Sequence, residues 1–185
     1  MTDPVLGSSI RGLNHLALVC SDMARTVDFY SNVLGFPLVK TVELPGGMGQ
    51  HFFFDISNGG GQTLAFFWFP NAPEGIPGVT HTSRDIAAGG VSAVSSMNHV
   101  AFDVAVEDIE RLRKQLKEAG VQCSPIINHD DSPVGGSREM HPGVFVRSVY
   151  FRDPDDISLE LAAWTKTFDE SDVKHAPASA VPANA

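Results

Sequence analysis

The sequence predicts an α+β fold in which one βαβββ module occurs twice. Three observations point to it. The run Leu13-Asn14-His15-Leu16-Ala17 returns 84 positions later as Met97-Asn98-His99-Val100-Ala101. Each copy is followed by a segment with helical spacing of apolar residues and then by three extended segments. Residues 150–164 read as a β-hairpin around the turn Pro154-Asp155-Asp156. In its return strand Ile157, Leu159 and Leu161 share one face, and Ser158, Glu160 and Ala162 share the other.

The elements follow in order. Residues 1–9 read as a loose lead-in, and 10–20 as an apolar strand with His15 in its middle. Ser21 offers an N-cap for a helix over 22–35, where Met23, Val27, Tyr30 and Leu34 recur at helical spacing and Gly35 supplies the stop. Extended segments 36–44, 49–57 and 62–70 come next, separated by Pro45-Gly46-Gly47 and by Asn58-Gly59-Gly60-Gly61. Residues 71–96, rich in Pro, Gly, Ser and Ala, form a connector. The plan then restarts with a strand over 97–104. An amphipathic helix over 107–120 follows, with Ile109, Leu112, Leu116 and Ala119 on one stripe. Strands over 121–128, 143–151 and 156–164 complete the second module. The loop 129–142 is long enough to be a lid or a site wall. The expected organisation is one domain over 10–164, with module 1 at 10–70 and module 2 at 97–164, and a disordered Ala/Pro-rich tail over 165–185.

Composition narrows the class of function. The net charge of −9, with no block of Lys or Arg, argues against nucleic acid or an anionic membrane as a partner. Two cysteines, Cys20 and Cys123, are too few for a disulfide framework and point to a reducing cytoplasm. No apolar run approaches the roughly 20 residues of a membrane span, and no basic and apolar leader opens the chain. A cytoplasmic protein is expected.

A lone histidine in an apolar strand is usually a satisfied core residue, and a lone carboxylate on a strand usually sits at a wet edge. Two histidines at equivalent repeat positions change that reading. If a pseudo-two-fold axis relates the modules, both first strands lie near it and His15 can meet His99. His99, Ala101 and Asp103 share a face, with the parity of Glu160. Two imidazoles and one carboxylate on a surface of small residues make the two-His-one-carboxylate arrangement, which leaves coordination positions open. Alignment of the repeats places Ala65 where module 2 has Glu160, so the set stays at three; Gln62, of opposite parity, is a weak further candidate.

The duplicated module with His15, His99 and Glu160 so placed resembles the vicinal oxygen chelate superfamily over residues 10–164. That group includes glyoxalase I, type I extradiol dioxygenases, methylmalonyl-CoA epimerase, fosfomycin-resistance enzymes and bleomycin-binding proteins. The resemblance implies a half-barrel built by both modules around a divalent metal. Within the group, the spacing His141-x8-Tyr150-x9-Glu160 looks like the extradiol signature, and Ala65 agrees with a three-ligand site. By that resemblance Tyr150 deprotonates or orients a catechol, and His141 hydrogen-bonds to substrate or oxygen. As ordinary residues, Tyr150 would be a strand aromatic and His141 a polar loop residue before Pro142. Tyr150 shares a face with Glu160 only if the turn holds an odd number of residues. The family usually has Gly where this chain has Asp156. One departure concerns the strand 62–70, which lacks the acid-base histidine of extradiol enzymes; His51 and His81 are the available substitutes.

The expected activity is extradiol ring cleavage of a catechol-type aromatic diol with O2, with Fe(II), or alternatively Mn(II), on His15, His99 and Glu160. Phe52, Phe54, Phe66, Trp68 and Trp164 could wall an aromatic substrate or, as strand aromatics more often do, fill the core. The alternative is an isomerase, epimerase or lyase of the glyoxalase kind, which needs a general base and no O2. A non-catalytic ligand-sequestering module is a third reading, and its members tend to lack the metal triad. A homodimer is expected, with the modules paired within one chain or swapped between two.

Overall fold

The computed structural model describes residues 11–84 and 92–178. The lead-in, part of the connector and the end of the tail lie outside the described residues. Module 1 comprises β1 (His15–Cys20), α1 (Met23–Val27), β2 (Leu38–Leu44), β3 (Gly49–Asp55) and β4 (Thr63–Trp68). Module 2 comprises β5 (Val100–Asp103), α2 (Ile109–Glu118), β6 (Ile127–His129), β7 (Val146–Arg152) and β8 (Ser158–Trp164). Each builds a four-stranded mixed sheet of the same order, β1-β4-β3-β2 and β5-β8-β7-β6. In each, the first strand runs parallel to the fourth and the remaining pairs are antiparallel. Ala17 stands beside Ala65 and Ala101 beside Glu160, so Ala65 is the counterpart of Glu160.

Local chemistry adjusts several boundaries. Asp22, not Ser21, caps α1, its side chain accepting from the Arg25 amide at 3.0 Å. The helix then loosens into a π turn over Asp28–Val33. β6 is far shorter than the expected strand 121–128. Pro125 cannot donate to a ladder, and upstream of it only Cys123 bridges to Phe151.

The two modules share one core. Tyr30, Phe54, Leu64 and Phe66 of module 1 cluster with Phe102, Phe151, Ile157 and Leu159 of module 2. Complete burial of each such side chain stabilises by roughly 1.5–3 kcal/mol. Phe36 meets Phe102 edge to face at 5.1 Å. The β7–β8 turn docks on α1: Tyr30 donates to Asp153 at 3.1 Å, and Ser21 and Arg25 donate to Asp155. Burial pushes the Asp153 carboxyl up to about 6, although the amides of Ile157 and Asp155 pull it down. The end of the connector is fastened to module 2 as well: Arg152 donates to the carbonyls of Thr82 and Ser83, and Thr82 to that of Asn98.

Since strand parity commits one face of each sheet to this shared core, the opposite faces look away from it. Of the two readings of the aromatics, substrate wall or core, the core reading holds for four of the five. Phe54 and Phe66 are fully buried in the core, Phe52 and Trp68 pack against it, and the Trp68 indole donates to Ser21 O. Of the five, only Trp164 shares the face of Glu160.

Residues 165–178, expected to be disordered, fold back on module 2. Thr165 N donates to Phe145 O, Phe168 packs edge-on against Trp164 at 5.0 Å, and Asp169 closes a capping box on the turn Glu170–Asp172. No helix among the described residues is long and apolar enough to cross a membrane.

Candidate metal centre

The outward face of the second sheet carries the chemistry. Register puts Glu160 between Ala101 on β5 and Tyr150 on β7, with Ser148 opposite Ala162 and His129 opposite Val146. Asp153 and Ile157 close the turn between them, so its residue count is odd and Tyr150 does share the face of Glu160. Asp156 takes the left-handed backbone, φ 66°, that the turn requires.

His99, just before β5, reaches across this face, its Nε2 2.9 Å from Glu160 Oε2. Its Nδ1 donates to Asn98 Oδ1 at 2.7 Å. The His99 pKa is raised by the hydrogen bond to Glu160, against the effect of burial. Burial pushes the Glu160 carboxyl up, but His99 and Ser148 as hydrogen-bond partners, and the charges of His99 and His129, leave it below its ordinary value. At 5% exposure this carboxylate is not at a wet edge; its partner is the imidazole of His99.

His15 is equipped in the same way. Its Nδ1 donates to Asn14 Oδ1 at 2.8 Å. An amide oxygen can only accept, so Nδ1 of each imidazole carries a proton, and Nε2, which in His99 faces Glu160, is the ring atom a metal would take. His15 nevertheless lies on the outward face of the other sheet, edge-on to Phe53 at 6.0 Å. Among the described residues no three His, Cys, Asp or Glu side chains gather into a metal-holding cluster. One chain therefore joins His99 to Glu160 and leaves His15 apart, because the modules pack through the faces opposite to those that bear the donors. The donor chemistry fits a divalent metal, with two donors in place and a third prepared identically.

The remaining candidates fall as follows. His141 is engaged in the loop: its Nε2 lies 2.9 Å from Asp130 Oδ2 and its Nδ1 accepts from the Gly143 amide. The imidazole against the Tyr150 hydroxyl is that of His129, at 3.3 Å. Burial, then the charge of Glu160, raises the Tyr150 pKa, so the phenol keeps its proton at neutral pH. His129 was not a candidate from sequence; it opens an irregular loop, where no periodicity assigns it a face. His51 faces outward near His15, stacked on Phe67 at 3.6 Å, and burial, then His15, lower its pKa. His81 sits in the connector against Thr80. A cleft of about 970 Å³, with Phe29, Val33, Arg84, Tyr150 and Ser158 among its lining residues, does not contain the donor pair.

Paired modules of this topology, with imidazole and carboxylate donors on matching faces, define a fold of the vicinal oxygen chelate type. A model of the Glyoxalase/Bleomycin resistance protein/Dioxygenase superfamily matches residues 12–161, and the chain belongs to that superfamily. It is 28% identical over 153 residues to the uncharacterized protein YwkD of Bacillus subtilis, covering 82% of this chain and 96% of the relative. It is 27% identical to the metallothiol transferase FosB of Bacillus licheniformis, covering 83% and 76%. Among solved structures it resembles in fold a point mutant of the fosfomycin resistance protein FosX from Listeria monocytogenes, complexed with Mn(II) and 1S,2S-dihydroxypropylphosphonic acid. That likeness has a TM-score of 0.55 at 22% identity and covers 84% of this chain and 94% of the other.

Proposed function

We propose that this chain is a metal-dependent enzyme that works as a pair of copies, acting on a small molecule that chelates through two neighbouring oxygens. His99 and Glu160 of one copy, with His15 of the other, hold a divalent metal, Fe(II) or Mn(II). The reaction is extradiol cleavage of a catechol-type diol with O2. The observation that carries this reading is the 2.9 Å approach of His99 to Glu160 with Tyr150 directly across the ladder from that carboxylate. The outward faces of both sheets, one with His15 and one with the other two donors, give each copy half of two sites, as a two-fold pair requires.

When bound, the metal supplies Lewis-acid polarisation that lowers the pKa of chelated hydroxyls. The chain's own residues do the rest. Asn14 and Asn98 fix the tautomers of the two imidazoles. Tyr150, protonated at neutral pH, stands beside Glu160 to donate a hydrogen bond to a substrate oxygen. Phe53 and Phe67, on the His15 face, offer an aromatic wall and exclude water.

The likeness to FosB and to Mn(II)-bound FosX favours a second reading: chemistry on chelated oxygens without O2. Protein purified without oxygen and loaded with Fe(II) or Mn(II) separates the two. Exposed to 3-methylcatechol in air, it yields yellow ring-cleavage product under the first reading. Under the second it yields none and instead consumes methylglyoxal–glutathione or fosfomycin with a thiol.

A further inference from the structure

We infer that Thr82, in the connector between the modules, is a positioning residue for the metal ligand His99. The role rests on the donor pair proposed above. His99 precedes β5, and its ring is turned by its neighbour, since Nδ1 donates to Asn98 Oδ1 at 2.7 Å. Whatever fixes the Asn98 backbone therefore helps fix the direction of the imidazole. The Asn98 carbonyl accepts the hydroxyl proton of Thr82, a buried residue. A hydroxyl has one proton to donate, and Thr82 commits it to this carbonyl.

The two repeats hold this asparagine in different ways. In module 1 the register of β1 with β4 begins at His15 itself, opposite Thr63, and the Asn14 carbonyl accepts the Thr63 amide at 3.0 Å. The ladder there carries the ligand. In module 2 the register of β5 with β8 begins one residue beyond the histidine, at Val100 opposite Leu159. His99 stands off the end of its strand, and the connector reaches it there.

Thr82 is itself clamped. Arg152 Nη1 donates to the carbonyls of Thr82 and Asp156, each at 2.7 Å, and its Nη2 to that of Ser83 at 3.3 Å. Arg84 pairs with the Asp156 carboxylate. Three successive connector residues are thus tied to the β7–β8 hairpin, which also carries Glu160. One hairpin then places both donors: Glu160 directly on β8, and His99 through Arg152, Thr82 and Asn98. Their 2.9 Å approach is the result.

Three variants of the full chain test this. Thr82→Val removes the hydroxyl and keeps the shape of the side chain. In the metal-free protein it shifts the ring resonances of His99 in NMR spectra and leaves those of His15 unmoved. It weakens Mn(II) binding by about 10-fold, the low end of what outer partners of a ligand cost. Thr82→Ser keeps the hydroxyl and restores affinity to within about 2-fold of the natural chain. Thr26→Val deletes a buried hydroxyl that donates to Asp22 O on α1, and it leaves Mn(II) affinity within about 2-fold. A Thr82→Val chain that binds like the natural one, a serine variant as weak as the valine variant, or an equal loss in Thr26→Val overturns the role. If Thr82→Val does not fold, Thr82→Ala is put through the same comparison. If the unaltered chain binds no Mn(II), the metal reading falls, and the metal-free spectra still decide this one: a His99 ring indifferent to Thr82→Val overturns it.

Discussion

The two modules share a topology, a register and an Asn-His pair, yet their outward faces are chemically unequal. Module 1 shows His15 among Ala17, Ala65, Phe53 and Phe67; module 2 shows His99 with Glu160, Tyr150, Ser148 and His129. The repeat preserves the imidazole donor twice and the carboxylate once. Duplication thus supplied a scaffold with two equivalent imidazole positions, and divergence made one outward face largely aromatic and apolar and the other rich in polar and ionisable groups.

The difference between the halves can be broken most severely at Glu160, the carboxylate whose counterpart in module 1 is Ala65. Glu160→Ala should weaken Mn(II) binding by more than the roughly 10–100-fold that outer partners of a ligand cost. Ala17→Ser, a small change on the face of His15, should leave affinity within about 2-fold, as an isothermal titration will show.

A smaller effect is expected at the junction that aligns the halves. Asp153 has its folded pKa raised to about 6 from 3.8, so the folded chain favours its protonated form. The stability this confers is complete below about pH 4 and is lost as pH rises through about 6, a change of up to about 3 kcal/mol. Denaturant melts across pH 4–7 should show that slope in the natural sequence and a flatter one in Asp153→Asn. Tyr30→Phe removes the phenol that donates to Asp153 and should cost about 1–2 kcal/mol near neutrality, where the carboxylate is ionised.

Smallest of all should be the change at the β7–β8 turn. Asp156→Gly relieves a left-handed backbone that costs about 1 kcal/mol in a non-glycine residue, and it also removes the partner of Arg84. The opposing terms should leave the melting temperature nearly unmoved.

Much of this was legible because strands alternate strictly. The equivalence of His15 with His99 and of Ala65 with Glu160, and the shared face of Tyr150 and Glu160, follow from period-two parity and one odd turn. Parity names the members of a face without naming what the face meets. So the sequence left open whether His15 meets His99 in one chain, and it allowed Phe52, Phe54 and Phe66 as walls when they fill the core. His129 escaped because it ends a three-residue strand where a loop begins, and its partners, Tyr150 and the Gly135 carbonyl, are set by the path of that loop. His141 was marked by spacing alone, and in the fold the buried Asp130 claims it.

The most direct test of a shared centre is complementation between two crippled chains, His15→Ala and Glu160→Ala, each expected to bind no Mn(II) tightly. Unfolded together and refolded as an equal mixture, they should form mixed pairs with one intact site each, and electron paramagnetic resonance should count tight Mn(II) at roughly a quarter of all possible sites. A mixture that binds no more than its separate components would contradict a centre built by two copies.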